Sequence, residues 1–583
     1  MFLIGIIIFW VSTLGYVLFL NKKTKLPYSL SLPFVFTIIT LVVFIAGIIN
    51  IIKIATLVIC VTGFLIFLYY LIKKQIDFKR FLSINCLLFI AVIIYITIVC
   101  KNMHFLHYDN FSHWALMVKT MFMYDRFPNF ENTVIMFKNY QPGSACFIYY
   151  VGVIIGKTES NMIIAQNYLV ASYLFSMLIF AKNKIKSSHI IRVVILSFYL
   201  LILLGNIEFY DLLVDTLLAV IMIYSAVLLY YFRDDLKKAF IYNIPVCMLL
   251  FLVKNTGIVL VCFTCLGLLY LGIRNKKFKI SFIYAIATGL LSLFIVYIWQ
   301  RHVINAYGAL ALDSKHSLSM SNIIHELHDK GRVGIIKFIR IYWHHFFDIS
   351  NNLPHLYMIG INIVTIIIAF INKKSIKKIT FFLIIGDLVY LMYYGVLGVM
   401  YLLSMPTEEA MRLASFDRYM LTIVLYVIGL LLIIVFSVIE YSKSKRKVLL
   451  SSVIIIVSLL LTNITLNLSD NYDVLWGKQN YEDTNLYKLD NIIKGSKDIF
   501  YKKDTYYYIY APTIVDGELS YFNYVSKYKL NTTNYKIIGK TNQIINDDNY
   551  KHLVVVTFEN DKIIGNYLKD NHFKINGDKV YIE

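Results

Sequence analysis

Apolar runs of about 17 to 25 residues recur along this chain from its first residue to about position 466, each long enough as a helix to cross roughly 30 Å of hydrocarbon. In lipid every backbone N–H and C=O must find its partner within the protein, so runs of this kind have to be helices. Charge is correspondingly scarce: 59% of the residues are hydrophobic and 16% charged, against about 25% charged in a soluble domain. With a mean hydropathy of +0.67, a soluble enzyme is excluded and a polytopic α-helical membrane protein is expected.

The 583 residues carry 56 Lys plus Arg against 35 Asp plus Glu, a net charge of +21. The basic residues stand between the apolar runs: Lys22, Lys23 and Lys25; Lys73, Lys74, Lys79 and Arg80; Lys182, Lys184 and Lys186; Lys237 and Lys238; Arg274 to Lys279; Lys373 to Lys378; and Lys443 to Lys447. That spacing is a topology signal rather than a nucleic-acid surface. Placing every cluster in the cytoplasm requires an even number of crossings between successive clusters. Spans at 2–20, 32–50, 54–72, 81–100, 161–181, 189–206, 212–232, 239–253, 255–273, 280–299, 354–371, 379–403, 418–440 and 448–466 satisfy this, giving fourteen crossings with both ends outside. Met1 to Leu20 lacks a basic leading region and a small-residue cleavage site, and is read as a retained span. Ser144 to Gly156 is too short to cross and is predicted to be a half-helix or interfacial helix near the outer surface, opening after Pro142 and Gly143.

Polar chemistry is then confined to the outer segments 101–143, 300–353 and 404–417, the turn 207–211 and the junction at Lys254. Beyond 466 the composition becomes mixed: TYYYIYAP and HLVVVTFEND read as strands and NLYKLDNIIK and KIIGNYLKD as helices, a small extracytoplasmic α/β domain. The seven cysteines lie in the apolar runs and are expected to be buried thiols without metal or disulfide roles.

The sharpest polar segment is HFLHYDNFSHWALMVKTMFMYDRFPNFE, 104–131, where Asp109 stands between His107 and His113 with i, i+4 spacing to His113. Its plainer reading is an N-cap at an interfacial helix. Tyr140, Gln141 and Pro142 introduce the short helix. Glu208, Asp211 and Asp215 cluster in NIEFYDLLVDTLLAV, and Asp215, inside the start of a span, has to face a cavity or a partner. Lys254 interrupts an apolar run, and Arg412 and Arg418 stand at the same outer level, so the three together suggest a cradle for a lipid phosphate. His325 and His328, in a histidine-rich loop, match no metal-ligand spacing, and no P-loop, G-x-S-x-G or dinucleotide fingerprint stands in a supporting context.

This arrangement resembles the GT-C superfamily of membrane glycosyltransferases, which take a sugar from a polyprenyl phosphate on the outer side of the membrane. The similarity rests on HYDNFSHW with Asp109 after an early span, YQPG opening a helix that ends at Gly156, Lys254 in VKNTG and Arg418 in FDRY. It covers 81–466, with 1–80 as additional N-terminal helices and 467–583 as the extracytoplasmic domain. Three extra spans and Tyr-Gln-Pro in place of a double proline depart from the better-known branch. The resemblance implies a GT-C-like bundle of about fourteen helices in which Asp109 is the base. It also implies that Lys254, Arg412 and Arg418 bind the donor phosphate, and that His107, His113, Asp125, Glu131, Tyr140, Glu208 and Asp211 contact substrates. No cofactor is expected; were a divalent metal used, Asp125, Glu131 and Asp211 would be the carboxylates to hold it. The implied partners are a polyprenyl-phosphate-linked sugar, a glycan, lipid or protein acceptor, and membrane lipids. The Lys, Ile, Asn and Tyr bias suggests a bacterial plasma membrane. Three rivals remain open from sequence: a polymerase or ligase using a diphosphate lipid, a lipid or glycan transporter, and a non-catalytic scaffold.

Overall fold

The computed structural model describes residues 2–78, 83–180, 210–312, 319–441, 444–465 and most of 473–582, apart from short stretches at 474–475, 496–504, 545–551, 559–561, 572–573 and 576–579. The helical part comprises α1 (Phe2–Thr24), α2 (Tyr28–Ile48), α3 (Ile52–Ile72), α4 (Ile84–Cys100), a π-helical turn (Asn110–Trp114) running into α5 (Ala115–Tyr124), α6 (Gly143–Ile155), α7 (Glu159–Phe175) and α8 (Asp215–Tyr231). It continues through α9 (Leu236–Val253), α10 (Gly257–Arg274), α11 (Phe278–Tyr307), α12 (Met320–Phe347), α13 (Leu353–Ile371), α14 (Ile376–Ser404), α15 (Thr407–Met411), α16 (Phe416–Tyr441) and α17 (Lys445–Thr465). Ten of the described helices are long and apolar enough to cross a membrane, and Asn85–Cys100, Gly143–Ile155 and Asp215–Tyr231 are shorter apolar helices.

Helices coincide with every expected span except 189–206, which lies outside the described residues. The expected loop 300–353 is largely helical: α11 runs on to Tyr307 and α12 fills Met320–Phe347. Hydropathy stops marking a helix where its sequence turns polar, whereas helical backbone persists on both sides of a kink at Gly331 (φ 57°, ψ 176°). On α12, Val333, Ile336, Ile339, Trp343 and Phe347 are exposed alongside Arg332, Lys337 and Arg340, as suits a helix lying along an interface. The cysteines are unpaired; Cys60, Cys100, Cys146 and Cys247 are buried, but Cys86 and Cys265 are half-buried and Cys262 is exposed.

Close helix contacts rest on small residues. A Cβ on Gly15 of α1 would stand 1.9 Å from the Gly63 carbonyl oxygen of α3, so these two backbones meet only because neither position carries a side chain. Short α6 is buried along most of its length. It packs against α1, α2 and α7, with Gly143 beside Leu252 at the end of α9 and Ile154 beside Gly5 near the start of α1.

The C-terminal domain holds α18 (Asn485–Gly495), α19 (Pro512–Gly517), α20 (Leu519–Leu530), α21 (Lys562–Asp570) and strands β1 (Thr505–Tyr510), β2 (Tyr535–Ile538), β3 (His552–Thr557), β4 (Lys574–Ile575) and β5 (Val580–Ile582). The sheet order is β2-β1-β3-β5-β4. β1 pairs in parallel with both β2 and β3, and β5 runs antiparallel to β3 and β4. Buried Tyr508, Tyr510, Val555 and Ile564 form a core on one face of the sheet.

Gly15→Leu should destabilise the bundle by about 1–3 kcal/mol through overpacking, read as a lower melting temperature of detergent-purified protein; an unchanged melting temperature would show that α1 and α3 can separate freely.

Candidate active site

Asp109 precedes the π-helical turn and is buried, 6% exposed. Its carboxylate Oδ2 accepts a hydrogen bond from Arg418 Nη1 at 2.9 Å. Arg418 lies in the first turn of α16, and its Nε stands 3.6 Å from Asp215 Oδ2, too far for a hydrogen bond. Asp215, the first residue of α8, accepts a 2.7 Å hydrogen bond from Lys254 Nζ. The Tyr419 ring sits under both cations, its centroid 4.5 Å from Lys254 Nζ and 5.3 Å from the Arg418 guanidinium. Four residues from the α4–α5 connection, α8, the α9–α10 junction and α16 thus share one cluster at the ends of these helices.

Local sequence explains each placement. α9 stops at Lys254 because that residue is extended, with φ −160° and ψ 148°. The next residue, Asn255, accepts from Gln141 Nε2 through its side chain, which ties YQPG to VKNTG. The approach is close: a Cβ on Gly143 would be 2.6 Å from the Leu252 carbonyl oxygen. The Asp109 turn is held from behind by Asn110, whose side-chain amide donates to Asp211 Oδ1 and whose Oδ1 accepts from Leu212 N at 2.9 Å. Gln166 Nε2 in turn donates to the backbone oxygens of Leu213 at 2.8 Å and Asp211 at 3.3 Å.

Protonation follows from this geometry. Burial alone would raise the Asp109 carboxyl, but the charges of His113, Arg418 and His107 together hold it below the usual carboxylate value. Burial pushes His113 down to about 3, so at neutral pH that ring is uncharged. His107 is also lowered, chiefly by burial, and its Nδ1 accepts from the Asp109 backbone N–H at 3.2 Å, which fits a neutral ring with its proton on Nε2. Asp211 is fully buried and is pushed up to about 8, so it is largely protonated at neutral pH.

The remaining expected residues divide. His113 and Tyr140 adjoin the cluster; their rings are 4.9 Å apart, His113 Nδ1 lies 2.6 Å from Ser112 Oγ, and Trp114 and Phe137 pack around them. Arg412 does not join: left-handed backbone at Leu413 and Ser415 reverses the chain between α15 and α16, leaving Arg412 exposed and 4.0 Å from Glu408. Asp125 caps α5 and is bonded by Lys53 Nζ and Tyr149 Oη, both at 2.7 Å; Glu131 is exposed and paired with Arg126. Glu208 lies outside the described residues. Among the described residues, no group of three or more His, Cys, Asp or Glu side chains gathers as a metal would need.

Sequence reasoning missed the roof over this site. Tyr521 Oη of α20 donates to the Leu106 carbonyl at 2.8 Å, and Phe111 packs against the Tyr521 and Tyr528 rings. Lys529 Nζ reaches Glu159 Oε1 at 2.7 Å and Asp490 Oδ2 at 2.9 Å, and the Gln479 side chain pairs with the His104 backbone in both directions. Comparison with protein-family models, with curated proteins and with solved structures found no match.

Asp211 carries a testable pH signature. Its folded value, about 8, exceeds the ordinary 3.8, so the unfolded chain releases this proton first and stability falls as pH rises between those values. Asp211→Asn should remove that fall in thermal unfolding between about pH 4 and pH 8; a variant that keeps the wild-type slope would show that Asp211 is ionised in the fold.

Proposed function

We propose that the chain is a multi-pass membrane glycosyltransferase of GT-C type. It moves a sugar from a polyprenyl-phosphate donor to an extracytoplasmic acceptor, a cell-wall glycan, teichoic acid, lipid or protein, at the bacterial plasma membrane. The observation that carries the reading is the Asp109–Arg418–Asp215–Lys254 cluster: two acids and two cations, distant in sequence, meet at one rim of the bundle. The carboxylates are buried while the side chains of Lys254 and Arg418 remain 21% and 23% exposed, so a phosphate can reach the cations.

In this reading the acceptor hydroxyl oxygen attacks the anomeric carbon and its proton passes to Asp109. The bond from that carbon to the phosphate oxygen breaks, and its electron pair stays on the phosphate. Charge developing there is met by Arg418 and Lys254, already oriented by Asp215, so little reorganisation is needed. A single displacement inverts the anomeric centre. His107 fixes the Asp109 backbone, Asn110 and Asp211 hold its turn, and neutral His113 with Tyr140 walls its flank. No step requires a metal. A transporter would be expected to concentrate its charges near the bilayer midplane, whereas Asp215, Lys254 and Arg418 stand at helix ends.

Asp109→Asn should lower sugar transfer from a polyprenyl-phosphate donor by about 10²–10⁴-fold with folding retained; near-normal turnover would remove the proposed base. Arg418→Lys keeps the charge but loses the planar fork, so it should raise the KM for donor more than that for acceptor, and equal effects on both would count against a donor-phosphate role.

A further inference from the structure

As the cluster stands, the two cations are already occupied. Arg418 donates to Asp109 and Lys254 to Asp215, so two positive and two negative side chains balance within one site. A phosphate cannot simply add to it: brought against Arg418, it would lie beside the Asp109 carboxylate, and two anions in a partly buried site repel strongly. One anion has to give way. Asp215 is held twice, by Lys254 at 2.7 Å and with Arg418 Nε at 3.6 Å. The Asp109 carboxylate, by contrast, is held among the described residues by Arg418 at 2.9 Å as its one permanent cation, with His107 at 3.7 Å. Arg418 Nε, buried and facing Asp215 without a hydrogen bond, leaves the Nη1 edge bonded to Asp109 as the edge where an exchange can occur.

Resting on the glycosyl-transfer reading, we propose that the donor phosphate docks by replacing Asp109 on Arg418, so that one exchange of ion pairs both seats the donor and releases the base. The Arg418–Asp109 pair is therefore a latch, closed when no donor is present. Held by Arg418, Asp109 is a weak base; released from it, the carboxylate is free to accept the hydroxyl proton. The charges balance through the reaction. A polyprenyl-phosphate sugar is a diester with one negative charge. When its bond to the anomeric carbon breaks, the phosphate keeps the electron pair and gains a second charge, while Asp109 takes the proton and loses its own. The product complex thus contains a neutral Asp109, with Arg418 given over to the phosphate. Loss of that proton to water restores the latch and expels the product.

An Asn at 109 imitates the protonated acid of the product state and cannot hold Arg418 by charge. Purified Asp109→Asn should therefore bind a soluble short-chain prenyl monophosphate more tightly than wild type, by roughly tenfold or more, the worth of one charge-assisted hydrogen bond no longer displaced. Titration calorimetry in detergent at fixed pH and salt would read this, with inorganic phosphate as a second probe. Arg418→Lys should bind weakly with or without the Asn. A gain with prenyl phosphate well above that with inorganic phosphate identifies a lipid headgroup; equal gains identify a free phosphate as the ligand of the same latch. Unchanged or weaker prenyl-phosphate binding in a folded Asp109→Asn protein that has lost transfer would overturn the exchange while leaving Asp109 as the base. Tighter binding in a variant that still transfers sugar would uphold the exchange and overturn the base assignment.

Discussion

Buried charge is the constraint on which the architecture of this protein turns. An unpaired carboxylate or ammonium is costly at the end of a membrane-spanning helix, so Asp109, Asp215, Lys254 and Arg418 must find one another or remain in water. They do find one another, and the pairing fixes the relative positions of the α4–α5 connection, α8, the α9–α10 junction and α16. The bundle around them supplies rigidity through close contacts that only small residues allow, as at Gly15 with Gly63 and at Gly143 with Leu252. Removing one member of such a cluster leaves a charge without its partner, which makes the cluster a unit rather than four separate contributions.

The C-terminal domain belongs to the same system. Its helix α20 rests on the π-helical turn beside Asp109, and its flanks are anchored by Lys529 to Glu159 and by Gln479 to the His104 backbone. Lys119 adds a further tie by donating to the Tyr528 carbonyl at the C-terminal end of α20. A soluble domain joined to a membrane bundle by an ordinary linker would move independently; this one shares the Lys529–Glu159 ion pair with α7 and is hydrogen-bonded to the segment that carries the acid. The acid therefore has two supports, Asp211 with Asn110 beneath it and Tyr521 with Phe111 above it.

Much of this was legible in the residues taken alone, for definite reasons. Hydropathy marks spans because lipid imposes a length, and TYYYIYAP, HLVVVTFEND, NLYKLDNIIK and KIIGNYLKD became β1, β3, α18 and α21 because alternation and amphipathic spacing survive in short elements. Asp109, Lys254 and Arg418 stood out because they lie where the charge pattern places the outer ends of spans, away from the cytoplasmic basic clusters, and the fold joins them. Arg412 shows the limit. It is as basic as Arg418 and lies six positions away, yet a pair of left-handed residues turns it outward. Asp125 and Glu131 likewise found local partners in Lys53 and Arg126. Composition carries no trace of the direction in which a turn sends a side chain.

The sequence by itself determined the membrane character, where the apolar helices run and the scarcity of ionisable groups among them, since each follows from local hydrophobicity measured against a fixed bilayer thickness. Only the tertiary structure decided which acid meets which base. Asp109 and Arg418 are separated by 309 positions and Lys529 and Glu159 by 370, and pairing over such distances depends on how helices pack, a property that belongs to no segment of the chain alone.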